Sequence, residues 1–172
     1  NIAGRYIEVA LRRGFEQLMQ EKILRPLQMR GTNFSSLNAI NPSGGAQSTA
    51  NDLTNFCSML LNKGMFNGKR VLSEESVKLL LQTQTTSSMI KYAPKSAEGY
   101  NYALGSWVLQ TDQNGNATVL ASPGLFGTWP MIDLCRNYAV VFFAKELLSE
   151  EKKELYLKLK NIIDEQIVAN CN

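Results

Sequence analysis

The sequence predicts an α+β fold, and three observations carry that prediction. Residues 2–28 and 49–64 place apolar side chains three and four apart, the spacing of a helix with one buried face. Between residues 100 and 144 the apolar residues alternate or gather in short runs, with turn residues between them. Beyond residue 149 the helical spacing returns. Helices, then an antiparallel sheet, then a C-terminal helix packed on it make an α+β layout. A chain of 172 residues is long enough for a single domain, 1–172, with a real core.

The elements follow in order. In residues 2–28, Ile7, Ala10 and Leu11 share one helical face, and Phe15, Leu18 and Met19 repeat it after Gly14. Gly14 breaks the stretch into two helices, and Pro26 ends the second after Ile23 and Leu24. Residues 31–49 are rich in Asn, Ser, Thr and Gly and read as loop. Thr49 and Asp52 form a start resembling a capping box, with Asp in place of the usual Glu. The helix that follows carries Leu53, Phe56, Cys57, Leu60 and Leu61 on one face, and Gly64 closes it. Asn67-Gly68 is a turn signal. Ser73 caps the next helix, with Glu74 and Glu75 in the first turn and Val77, Leu80 and Leu81 facing inward. Residues 83–99 are a polar surface loop. Alternation from Tyr100 predicts one strand over residues 100–109, and Asp112-Gln113-Asn114-Gly115 a hairpin turn. Further strands are expected over 118–121, 127–134 and 138–144, with Asn137 in the last turn. Ser149 caps the final helix, whose face reads Leu155, Leu159, Ile162, Ile163 and Ile167.

Composition removes several chemistries. At 44% hydrophobic and 19% charged, the chain does not read as disordered. A net charge of +3, with Lys and Arg scattered, gives no reason to expect nucleic acid as a partner. No apolar run is long enough to span a bilayer, and no leader is visible, though processing removes such segments. There is no histidine, which excludes a Ser-His-Asp or Cys-His site and any His-ligated metal. An acid or base would be Lys, Tyr or a carboxylate. No metal and no cofactor are expected. The three cysteines, Cys57, Cys135 and Cys171, are too few and too far apart to read as a disulfide framework or a zinc site. Cys57 reads as core and Cys171 as an inert thiol in the tail.

Four segments are candidates for chemistry. A Ser at a helix start with Lys one turn on can act as nucleophile and base, if the Lys is desolvated. Ser88-Met89-Ile90-Lys91 and Ser149-Glu150-Glu151-Lys152 fit the pattern, but the first lies in the polar loop. In the second, Glu150 and Glu151 would keep Lys152 protonated. Ser122-Pro123-Gly124-Leu125-Phe126-Gly127-Thr128 lies between strands, where glycine permits close approach of a ligand; as plain structure it is a connecting turn. Pro123 argues for an edge or a bulge there. The glycines before Thr49 suit either an anion site at a helix N-terminus or a loop ending in a cap.

These pieces, in this order, resemble a known family. Gly44-Gly45-Ala46-Gln47-Ser48-Thr49-Ala50-Asn51-Asp52-Leu53 with Phe56, Leu60-Leu61 and Gly64 is similar to the "GG-x-x-STA-x-DL…F…LL…G" stretch of serine β-lactamase and penicillin-binding-protein-like hydrolases. Asn67-Gly68-Lys69-Arg70-Val71-Leu72-Ser73 resembles the "DGKRVLS" that follows it. Phe15-Glu16-Gln17-Leu18-Met19 through Pro26-Leu27-Gln28-Met29 resembles "F-x-x-x-M-x-x-x-I-x-x-PLGM", with Gln28 replacing Gly. Tyr102-Ala103-Leu104-Gly105-Ser106-Trp107 is similar to "Y-G-L-G-W".

The resemblance implies part of a β-lactamase/transpeptidase-like fold. It also implies acyl transfer by a Ser-x-x-Lys nucleophile on a β-lactam, a D-Ala-D-Ala peptide or an ester. Asn1-Ile2-Ala3-Gly4 resembles "(YS)N-x-x-G", which assigns Asn1 to the family's Tyr-x-Asn and places the nucleophile, its Lys and the Tyr before residue 1. The chain is thus expected to be the C-terminal part of a larger hydrolase domain, inactive alone, with apolar surface open to self-association. Ser122 stands where the family has Lys or His, so anchoring of a substrate carboxylate is lost. Gly124 is kept, and the Leu125 N–H is implied as an oxyanion donor. The other reading is a noncatalytic module that binds a cell-wall peptide or a protein partner. By resemblance, the compartment is periplasmic or cell-envelope.

Overall fold

The computed structural model describes residues 1–34, 40–144 and 152–171, which divide into two units, Asn1–Val71 and Leu72–Asn172.

In the first unit, helix α1 (Ile2–Leu11) ends at Arg12, which takes a left-handed conformation. Helix α2 (Phe15–Met19) starts after Gly14 and runs into a π-turn, Gln20–Leu24, that stops ahead of Pro26. The break at Gly14 is stitched by a side chain: the Phe15 N–H donates to Glu8 Oε1 at 2.9 Å. That bond and then the Arg5 guanidinium hold the Glu8 carboxyl below its usual range. Most of α1's apolar residues, Ile2, Tyr6, Val9 and Leu11 among them, are exposed.

Helix α3 (Ala50–Leu61) begins as the sequence predicts, with Thr49 Oγ1 accepting from the Asp52 N–H at 3.1 Å. The other half of the capping box is absent. Asp52 is buried, and its Oδ2 instead accepts from the Gly31 N–H at 2.9 Å and Thr32 Oγ1 at 2.6 Å. Thr32 Oγ1 in turn meets Ser48 Oγ at 2.7 Å. The family-like Ser48-Thr49-x-x-Asp52 therefore closes the two ends of the 31–49 loop against one helix start. Phe15, Leu18, Leu24, Leu27, Met29, Cys57, Met59 and Leu60 are buried in this unit. Asn67 and Gly68, both at positive φ, turn a short hairpin of β1 (Met65–Phe66) and β2 (Lys69–Arg70) that the sequence reading did not separate.

The second unit opens with α4 (Glu74–Leu81), capped by Ser73, whose Oγ accepts from the Ser76 N–H. A five-stranded antiparallel sheet follows in sequence order: β3 (Asn101–Tyr102), β4 (Trp107–Thr111), β5 (Ala117–Ala121), β6 (Trp129–Asp133) and β7 (Tyr138–Phe142). The single strand expected over 100–109 is a hairpin instead. Gly105 at φ +96° reverses the chain, and the Ala103 N–H closes the turn on the Ser106 carbonyl. Val119, Ala121, Trp129 and Met131 pack on one face of the sheet against Tyr156 of α5 (Lys153–Asp164).

Helix α5 buries a face rotated from the one expected: Tyr156 and Lys160 are inside, Leu159 packs against the core and Ile163 and Ile167 are half-buried, whereas Leu155 and Ile162 are exposed. The reason is a buried ion cluster. Lys160 Nζ lies 3.3 Å from Asp133 Oδ2 and 2.5 Å from Asp164 Oδ2, and the Tyr138 hydroxyl donates to Asp164 Oδ1 at 2.8 Å. Burial, then Asp164, pushes the Tyr138 phenol above its usual range. The predicted Ser149 cap lies outside the described residues.

The cysteine reading is corrected. Cys135, beyond the end of β6, and Cys171 are joined in a disulfide, and the Asn170 N–H donates to the Cys135 carbonyl at 2.8 Å. Spacing alone did not reveal the pair because α5 carries the tail back to the turn between β6 and β7.

Candidate active site

Ser122, Gly124 and Leu125 share one loop of the second unit, residues 122–128, between the interior strands β5 and β6. Its shape follows from Pro130. The Ser122 N–H donates to the Pro130 carbonyl at 3.1 Å, but proline has no N–H to return the bond. The β5–β6 ladder therefore ends at Ala121 opposite Met131. Pro123 lies past that end, so it disrupts no pairing, and neither an edge strand nor a bulge is needed to house it. The loop then closes on itself: the Gly124 N–H donates to the Thr128 carbonyl at 2.8 Å, and the Gly127 N–H to the Gly124 carbonyl at 2.9 Å. Gly127 sits at φ +85°, where an L side chain would be strained. Two of the loop's donors are thus consumed inside it, and a third, the Ser122 N–H, is spent on β6. The Leu125 N–H, at the exposed tip, meets no acceptor among the described residues.

The sequence reading missed the residue that holds this loop from below. Tyr156 is buried, and its hydroxyl donates to the Gly127 carbonyl at 2.9 Å. Its ring stacks on Phe142 at 5.3 Å and tilts against Trp129 at 4.9 Å. Its one signal in the sequence is its place four residues before Lys160 on the same helical face.

Asn1 belongs to the first unit, at the start of α1. Its Oδ1 accepts from the Ser43 N–H at 3.2 Å, which leaves the amide Nδ2 as a donor. Gly4 explains the spacing of Asn1-x-x-Gly4: a Cβ there would come within 2.6 Å of Pro42 Cγ, so only glycine lets α1 rest on the 41–43 segment.

Other nucleophile candidates are poorly placed. Ser88 lies in an exposed single turn, Ser87–Met89, its hydroxyl 2.8 Å from Thr86 Oγ1, and Lys91 is exposed. Ser149 lies outside the described residues. Cys57 is buried, and burial pushes its thiol up to about 11, so no thiolate forms at neutral pH.

A family model described as Beta-lactamase matches residues 1–160. A β-lactamase-like protein from Bacteroides dorei DSM 17855 superposes with a TM-score of 0.76 at 26% identity, over 95% of this chain and 55% of its own. A β-lactamase from Mycobacterium bovis superposes with a TM-score of 0.71 over 95% of this chain and 60% of its own; at 15% identity that likeness is one of fold. An uncharacterized protein of Mycobacterium tuberculosis (strain CDC 1551 / Oshkosh) is 32% identical over 114 residues, 58% of this chain and 28% of that protein. The chain thus spans little more than half of these solved relatives and less of the curated one. With the sheet, its C-terminal helix and the motif-bearing loops in place, and the family model matched along most of its length, this chain belongs to the β-lactamase family.

Proposed function

We propose that this chain supplies the oxyanion-donor and substrate-facing part of a serine acyl-transfer site. The nucleophilic Ser and its Lys come from a Ser-x-x-Lys upstream of Asn1, as the order of the family's motifs implies. The observation that carries this reading is the Leu125 N–H at the exposed tip, one of three loop donors, with those of Phe126 and Thr128, that meet no acceptor among the described residues. An unpaired backbone donor aimed at the reacting carbonyl is what a developing oxyanion requires.

The chemistry is two displacements. The Ser hydroxyl adds to the substrate carbonyl as its proton passes to the Lys amine, and the oxyanion accepts from the Leu125 N–H. Collapse breaks the bond to the leaving group, which takes the proton. Water then adds to the acyl-enzyme, releases the acid and restores the hydroxyl. The hydroxyl of Ser122 and the close approach allowed by Gly124 shape the substrate's seat. The Cys135–Cys171 disulfide supports a periplasmic or cell-envelope location, since such bonds persist in oxidising compartments.

A fluorophosphonate probe tests the reading by intact mass. The 172-residue chain is expected to remain unmodified, and the full-length natural protein to gain one adduct on a serine of an upstream Ser-x-x-Lys. An adduct on Ser88 or Ser149 of the short chain overturns the assignment. The second reading, a noncatalytic module for a cell-wall peptide, is favoured by Ser122, which carries no charge to polarise or anchor a substrate. It predicts a full-length protein that takes no probe but shifts its Leu125 amide resonance when such a peptide is titrated in.

A further inference from the structure

The π-turn Gln20–Leu24 and the four residues that leave it frame a cleft in the first unit. Its volume is about 370 Å³, within the range that accepts small molecules. Gln20, Leu24, Arg25, Gln28, Met29 and Arg30 line it. None of the six is Asp or Glu. Neither guanidinium has an ion-pair partner among the described residues. The carboxylates nearest in sequence are already engaged. Glu21 takes Arg13 and Lys22, and Glu16 accepts from Gln20 Nε2 at 3.1 Å and from the Phe34 N–H at 2.7 Å. The carbonyls that close the turn are engaged as well: those of Gln20, Leu24 and Arg25 accept from the N–H groups of Arg25, Met29 and Gln28. Two positive charges thus share a cleft with nothing of opposite sign to meet them. Leu24 and Met29, both buried, add apolar surface to the same walls.

Gln28 is the residue that local energetics leave unexplained. It holds φ +57°, where the family-like motif has glycine, and its exposed side chain has no hydrogen-bond partner among the described residues. Backbone strain kept at a residue that lines a cleft points to a ligand, and π-turns recur at functional sites. The Gln28 amide adds a neutral donor to the two guanidinium forks. Such forks match the paired oxygens of a carboxylate or a phosphoryl group. An alkyl chain gains by leaving water over Leu24 and Met29. We propose that this cleft binds a small amphipathic anion, one carboxylate or phosphoryl group joined to a short alkyl chain. The oxyanion rests on Arg25, Arg30 and Gln28, and the alkyl chain on Leu24 and Met29. The site uses no residue of the 122–128 loop and stands independently of the acyl-transfer reading.

Titration of the full-length natural protein, followed in nitrogen–proton spectra, tests the site with hexanoate, hexyl phosphate, inorganic phosphate and hexanol as probes. Hexanoate or hexyl phosphate at about 10 mM is expected to shift the Arg25 and Arg30 Nε–H and Gln28 side-chain amide resonances together, with a Kd of about 1 mM or below. The tighter of the two names the oxyanion. Arg25→Gln and Arg30→Gln are each expected to weaken binding about tenfold, and Gln28→Gly severalfold even though glycine relieves the strain there. All three side chains are exposed, so an unchanged far-ultraviolet circular dichroism spectrum separates loss of contact from loss of fold. Inorganic phosphate bound as tightly as hexyl phosphate would mean an adventitious ion only and overturns the proposal. Hexanol bound as tightly as hexanoate overturns it too, since the guanidinium groups then contribute nothing. So does an absence of shifts at all three residues with either anion, or an affinity that none of the three variants lowers.

Discussion

Gln28 sits at φ +57°, in the left-handed region, where the family-like "PLGM" has glycine. The turn needs that conformation, because the Met29 N–H reaches back to the Leu24 carbonyl at 2.8 Å and closes the end of the π-turn. An L side chain there costs about 1 kcal/mol or more. Gln28 is exposed, so its side chain returns little by packing. Gln28→Gly is therefore expected to raise the unfolding free energy by about 0.5–1 kcal/mol, the relief of backbone strain exceeding glycine's extra entropy in the unfolded chain. Urea denaturation followed by far-ultraviolet circular dichroism measures this. An unchanged or lower midpoint would mean that the strain is spread over the turn and not held at Gln28.

At the level of elements, α5 and β7 run antiparallel with matched lengths. Phe142 stacks on Tyr156 at one end and Tyr138 bonds Asp164 at the other. Four strand residues cover about 13 Å and eight helical residues about 12 Å, so both contacts are met without distortion. Lys160 lies between them, and its removal leaves Asp133, fully buried, with Arg136 at 3.4 Å as its remaining cation among the described residues. Lys160→Met is expected to cost about 3 kcal/mol. Adding Asp133→Asn should restore part of that loss, and a double-mutant cycle in chemical denaturation reads the coupling. Additive losses would show that the two groups act independently. Helix starts were legible in the sequence at Thr49 and Ser73 because a cap is a local event, decided within four residues. The face of α5 was legible only in part, through Leu159, Ile163 and Ile167. A lysine inside a helix reads as solvent-facing until its carboxylate, 27 residues away, is known. The 122–128 loop was placed between the right strands, whereas its support by Tyr156 is again a contact across 29 residues.

For the whole molecule, the Cys135–Cys171 bond closes a loop with a sequence separation of 36, which contains β7 and α5. Constraining that much chain in the unfolded state stabilises the fold by about 4 kcal/mol. The double variant Cys135→Ser with Cys171→Ser is expected to melt lower by an amount of that order, with the amide resonances of Gly124 and Leu125 unmoved because they lie at the other end of β6. Calorimetry and a nitrogen–proton spectrum check the two parts, and a shift at Leu125 would show that the tail reaches the candidate site. The ion cluster has a consequence of another sort. A helix seated by apolar contacts alone can slide by one turn, about 5.4 Å, and still bury comparable surface. Lys160 forbids that, since each slipped seating would strand an ammonium among apolar side chains. The cluster thus works as an index mark for α5. Because Tyr156 on that helix holds the Gly127 carbonyl, the alignment set by charges at one end of the sheet fixes where the loop comes to rest at the other.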